Sequence, residues 1–199
     1  MYSTIECTMK QFKYTMSEKK EVWILKGYEK FALYGEASLK IEQLAKEVGI
    51  SKSSFYHLFA DMEIFVAELF KYHLNNSKII ADKERLASTI KPELINILLQ
   101  HKIDLLFNRQ LRINSTLQNY KDTLLKSNQY IGNDFVMLWL KDTKLNFTTQ
   151  QAATLLELAL ENFFLQINQE NLNYEWLVLF FENLERVGKT LAKPLYGND

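Results

Sequence analysis

Residues 41–65 read IEQLAKEVGISKSSFYHLFADMEIF. Ile41, Leu44, Ala45 and Val48 recur at the spacing of one helix face, so a short helix is expected over residues 40–48. Gly49 supplies a turn, Ile50 an apolar plug, and Ser51 the cap of another helix that reaches Phe59. Ala45 is small where the two helices cross, and Phe55 joins Ile50 in the wedge between them. In DNA-binding helix pairs of this shape the second helix lies in the major groove and meets bases with its N-terminal residues. Here these are Lys52, Ser53 and Ser54, short or cationic, at a helix end whose dipole favours a phosphate. Tyr56 and His57 follow one turn later as phosphate donors, and Lys40 stands where it can pair with the opposite DNA backbone. Spacing alone leaves a second reading open. Tyr56 and Phe59 then serve as core aromatics, in a helix–glycine–helix unit that never meets DNA.

Outward from this stretch the pattern stays helical. Upstream, Ser17 is the expected cap of a helix carrying Val22, Leu25, Tyr28 and Ala32, closed by Gly35. Downstream, Asp61 caps a helix from residue 62 to 86, and Pro92 opens a fifth with Leu94, Leu98, Ile103 and Leu106 on its apolar side. Two or three helices are expected over residues 109–145, with Gly132 as a break. Thr148 caps the next, and a last one spans residues 174–192. The chain of 199 residues has two prolines and six glycines, too few for the turns of a β-rich fold. The expected class is all-α.

Charge is balanced, with 24 basic and 24 acidic side chains, so any affinity for nucleic acid must come from a local arrangement of cations. Cys7 is the single cysteine and is read as a passive thiol on an N-terminal arm over residues 1–16, in a reducing compartment. No stretch approaches the roughly 18 apolar residues of a membrane span, and the first residues lack the apolar core of a secretion signal. A cytoplasmic location without membrane contact is the expectation.

Gly35, Ile41, Leu44-Ala45, Val48-Gly49-Ile50-Ser51, Phe55-Tyr56-His57-Leu58-Phe59 and Glu63 together resemble the TetR family of transcription repressors. The family signature reads roughly I-A-x-x-A-G-V-S-x-G-T-L-Y-x-Y-F-x-x-K-E-x-L, and the resemblance covers residues 20–66. Three positions depart from it. Ser53 stands where Gly is common and remains small. Lys40 stands near the usual capping Thr or Ser, so that Ser38 is expected to cap while Lys40 adds a charge. Met62 replaces a phosphate-anchoring Lys, which weakens non-specific affinity and flattens its salt dependence by about one unit of slope.

The resemblance implies a DNA-binding domain over residues 17–77, with its helix-turn-helix at about 40–59, and a helical domain over residues 78–199 that binds a small effector and dimerises. For the dimer interface the candidates are Leu155, Leu158, Ala159 and Phe163 on one helix, and Leu177, Phe180, Phe181 and Leu184 on the next. Their two apolar faces exceed what one subunit buries, and an intersubunit four-helix bundle uses the excess. A two-fold dimer sets its recognition helices about 34–36 Å apart and so reads a near-palindromic double-stranded operator. For an effector pocket the candidates are Phe107, Tyr120, Phe135, Trp139 and Phe164, with Asn162 or Gln166 as polar partners. The ligand expected there is apolar or amphipathic, without strong charge.

Other classes fare less well. His57, His73 and His101 lack metal-ligand spacing, Cys7 has no evident partner, and no glycine-rich phosphate loop is present, so neither catalysis nor a cofactor is expected. His73 and His101 read as partly exposed helix residues. A helical protein-interaction adaptor with a degenerate DNA-binding domain is the alternative, motivated by Met62 and the neutral charge.

Overall fold

A computed structural model describes residues 15–192, apart from the side chains of residues 132–134. The N-terminal arm with Cys7 and the last residues, 193–199, lie outside the described part.

Among the described residues nine α-helices follow one another: α1 (Met16–Tyr34), α2 (Ile41–Val48), α3 (Lys52–Phe59), α4 (Met62–Leu86), α5 (Ile95–Gln100), α6 (Lys102–Ile113), α7 (Gln118–Thr143), α8 (Thr149–Gln166) and α9 (Tyr174–Leu191). The described residues contain no strand. The fold is all-α, a helix-turn-helix unit near the N-terminus followed by a larger helical region.

Local chemistry explains most of the boundaries. Asp61 caps α4 by accepting from the Ile64 N–H at 2.8 Å, and Thr148 caps α8 in a reciprocal box with Gln151. Gly49 ends α2 in the left-handed conformation (φ 68°), a backbone state that favours glycine. Four expectations need correction. The cap of α1 is Thr15, paired with Glu18 in a capping box, and not Ser17. Ser38 does not cap α2; its hydroxyl donates to the Gly35 and Lys30 carbonyls, closing a 3-10 turn over Glu36–Ser38. The expected fifth helix is divided at His101 into α5 and α6, after an irregular turn at Ile90–Leu94 in which Lys91 is extended. Helix α7 runs unbroken through position 132, because the roughly 1 kcal/mol that a helical glycine costs is small against packing along the length of α4.

One continuous apolar core joins both ends of the molecule. Helix α1 lies along α6 and against α2 and α4, so it belongs to the helix-turn-helix unit and to the larger region at once. Helix α4 also serves both. The boundary expected between residues 77 and 78 falls inside it.

Candidate functional site

The α2–α3 unit is anchored by aromatic rings. Phe55 and Phe59 are fully buried, with Phe55 meeting Trp23 of α1 at 5.1 Å and Phe65 of α4 at 5.2 Å, both edge to face. Leu44 and Ile50 complete the wedge. Helix α1 crosses α4 at Gly27, where an added Cβ would come 2.3 Å from Cζ of Phe65. Helix α3 is thus held by one face.

Its other face is free. Lys52, Ser53, Tyr56 and His57 are exposed and Ser54 is half-buried, while Lys40 is exposed at the start of α2. At about 100° per residue, positions 52, 53, 56 and 57 share an arc of about 140°. Two contacts bear on their charge. Lys52 donates to the Glu42 carboxylate, which lowers the Glu42 carboxyl and raises the Lys52 ammonium from their usual values. Ser51 and Ser53 share a hydroxyl–hydroxyl hydrogen bond at 3.1 Å. Met62 is half-buried against the core.

A second feature lies between helices α4 to α9: a cavity of about 330 Å³. Its apolar wall includes Leu105, Phe135, Val136, Leu156, Phe164 and Phe181. Of the residues expected to form a pocket, Phe135 and Phe164 line it. Phe107 and Tyr120 do not. They belong to an aromatic stack with Tyr28 and Phe31 of α1 and Phe70 of α4, in which Phe107 lies 4.3 Å from Tyr28 and Tyr120 lies 4.9 Å from Phe70. Trp139 is fully buried elsewhere, stacked on Phe147. Asn162 is exposed and accepts from Gln166, also exposed.

The polar side of the cavity escaped sequence reading. His73 is 2% exposed, which corrects the expectation of a partly exposed residue, and its ring stacks on Phe107 at 4.7 Å. Its Nδ1 lies 2.8 Å from the Tyr28 hydroxyl, and that hydroxyl donates to Asp104 Oδ1 at 2.7 Å. Asp104 also accepts from Asn76 at 2.7 Å and from His101 Nδ1 at 2.9 Å, while Lys83 donates to His101 Nε2. Burial pushes the Asp104 carboxyl up, but its hydrogen bonds from His101, Tyr28 and Asn76 outweigh that and hold it below the usual range. Burial pushes His73 down to about 4, against the opposing pull of Asp104. Arg112 closes another side, donating to Asn108 and Glu161 and lying 4.4 Å over the Phe164 ring, with its guanidinium lowered to about 10 by burial. Every member of this cluster is separated from its partners by too much sequence, or is too ordinary in type, to be recognised from the chain alone.

The eight residues expected at a dimer interface are divided by the structure. Phe163, Leu177, Phe181 and Leu184 are buried in the subunit's own core. Leu158 is 67% exposed, and Leu155, Ala159 and Phe180 are half-buried. Beside them Leu165, Leu179, Val187 and Leu191 are exposed, none of them anticipated. Leu158 and Leu165 repeat at seven residues on α8, and Leu179, Val187 and Leu191 fall within an arc of about 120° on α9, so a second, broader apolar face was present in the sequence beneath the stronger one.

Among the described residues no group of three or more His, Cys, Asp or Glu is placed to hold a metal ion, and no helix is long and apolar enough to cross a membrane. No protein-family model matches the chain, and no curated protein does. Among solved structures, the chain is similar to a crystal structure of a protein from Rhodococcus sp. described provisionally as a TetR-family transcriptional regulator. The match has a TM-score of 0.52 and 13% identity, over 89% of this chain and 100% of that one. At that identity the likeness establishes the fold, a helix-turn-helix unit joined to a helical region.

Proposed function

We propose that the chain is a sequence-specific DNA-binding transcription regulator, a homodimeric repressor released by a small apolar or amphipathic effector. The observation that carries this reading is the recognition helix α3: its inner face is locked by Phe55 and Phe59, and its N-terminal turn presents Lys52 and Ser53 outward, with Ser54 half-buried beside them and Tyr56 and His57 behind. Lys52, Ser53 and Ser54 read base edges, and Lys40, Tyr56 and His57 hold phosphates. Residues 17–77 form the DNA-binding part and residues 78–199 the effector and dimer part, with α4 common to both. The dimer is a two-fold bundle of α8 and α9 that covers Leu158, Leu165, Leu179 and Val187, and its operator is near-palindromic double-stranded DNA. The cavity is the effector site, acting by population shift: ligand favours a dimer whose recognition helices no longer match the groove spacing.

Selection from a random duplex pool tests this. Enrichment of a near-palindromic site with half-sites one helical turn apart supports the regulator. Recovery of an unenriched pool at low salt supports the adaptor reading, in which the helix pair no longer reads DNA.

A further inference from the structure

The cavity holds a clue to what enters it, in the direction of one hydrogen bond. A tyrosine hydroxyl has a single proton to give, and Tyr28 spends it on Asp104 Oδ1, a carboxylate oxygen with none to return. The 2.8 Å contact between Tyr28 and His73 therefore runs the other way: His73 Nδ1–H donates to the tyrosine oxygen. That fixes the tautomer. His73 lines the cavity, and its Nε2 carries a lone pair, is buried, and has no hydrogen-bond partner among the described residues.

The tautomer is reinforced from beyond. Lys83 has protons only to give and points one at His101 Nε2, so His101 directs its own Nδ1–H to Asp104 Oδ2. Asn76 adds another donor to Asp104. With every neighbour donating inward to Asp104, the carboxylate is held ionised and Tyr28 cannot reverse. The other charges of the wall are unequal: Asp104, Glu157 and Glu161 set three carboxylates against the guanidinium of Arg112, which is already bound to Glu161 and Asn108.

We infer that the cavity takes a neutral or cationic apolar molecule bearing an N–H or O–H, an amine, phenol or alcohol, which donates to His73 Nε2 while its body packs on Phe135, Phe164 and Phe181. Carboxylates and acceptor-only molecules are rejected, the first by the acidic wall and both by the lone pair that faces them. This rests on the reading of the cavity as an effector site, and deepens it by naming the ligand class.

The test uses the full chain without DNA and four probes that share one ring system: naphthol, naphthylamine, naphthoate and acetylnaphthalene. Binding is followed by calorimetry, with unsubstituted naphthalene as the reference. Naphthol and naphthylamine are expected to bind about tenfold more tightly than naphthalene, the worth of one hydrogen bond to a buried acceptor, and the other two no better than it. His73→Phe is expected to abolish the preference while still taking naphthalene. Tyr28→Phe releases the tautomer, so that acetylnaphthalene gains affinity relative to naphthol; this second variant keeps the test alive if His73→Phe fails to fold. Naphthoate binding as tightly as naphthol, a preference that survives His73→Phe, or no binding by any probe each overturns the inference. Because DNA is absent from the assay, such a failure leaves the regulator reading to be judged by the selection experiment.

Discussion

Tyr28 of α1 donates its hydroxyl to Asp104 of α6 at 2.7 Å, and this one bond ties the helix that supports the helix-turn-helix unit to the wall of the cavity. The ring of Tyr28 stacks on Phe107 at 4.3 Å, and burial, followed by the nearby carboxylate, raises its phenol well above the usual value. Helix α1 also carries Trp23, which braces Phe55 of α3. Asp104 and His73 are thus connected to α3 through Tyr28 and Trp23, two side chains of one helix.

Tyr28→Phe should destabilise the protein by about 1–3 kcal/mol, since it strips a donor from buried Asp104 and an acceptor from His73. Urea unfolding measures it. A loss under 0.5 kcal/mol would mean that the bridge does not hold α1.

Acid should weaken the fold in two windows. His73 titrates near 4 in the folded protein against an ordinary 6.5, so below pH 6.5 the unfolded chain takes up a proton that the folded chain refuses. Stability from this group is whole above 6.5 and declines by about 3 kcal/mol as pH falls to 4. Asp104, whose carboxyl is lowered, adds its loss only further down, as pH falls through its folded value below 3.8. Unfolding measured from pH 7 to 4 should show the slope, and His73→Gln should flatten it.

Gly27→Ala drives a methyl into the Phe65 ring, itself fixed between Phe55 and Phe59. The expected cost is about 1–3 kcal/mol, with weaker DNA binding because α1 must tilt from α4. Wild-type stability in this variant would show that the crossing has slack.

Leu158→Glu and Leu179→Glu each place a charge on the exposed apolar stripe of α8 and α9. Sedimentation should then find monomers with unchanged helicity, whereas a dimer that persists in both variants puts the interface elsewhere.

The helix-turn-helix was legible because its signals are local: Gly49 in the left-handed state, the plug at Ile50, the cap at Asp61 and the periodicity of Leu44 and Phe55 act within a few residues. The start of α1 was misplaced by two residues because Thr15 and Ser17 are equally good caps in isolation, and only Glu18 reaching back to Thr15 separates them. The cavity was not legible, because its wall gathers residues from 73 to 181 on six helices and no local pattern marks which aromatic faces inward. Phe107 and Phe135 look alike in sequence; one stacks on Tyr28 and the other lines the cavity. The role of His73 depends on the direction of a proton on Tyr28, 45 residues away, which only the three-dimensional contacts fix.

We propose that the tip of α3 reads DNA, and affinity for the selected site against a scrambled duplex, across salt concentrations, decides it. Lys52→Ala should lower affinity for the selected site by about tenfold and shrink its advantage over the scrambled one, and Glu42→Gln, which frees Lys52 from its partner, should tighten binding at low salt. Equal affinity for both duplexes, unmoved by either substitution, would contradict it.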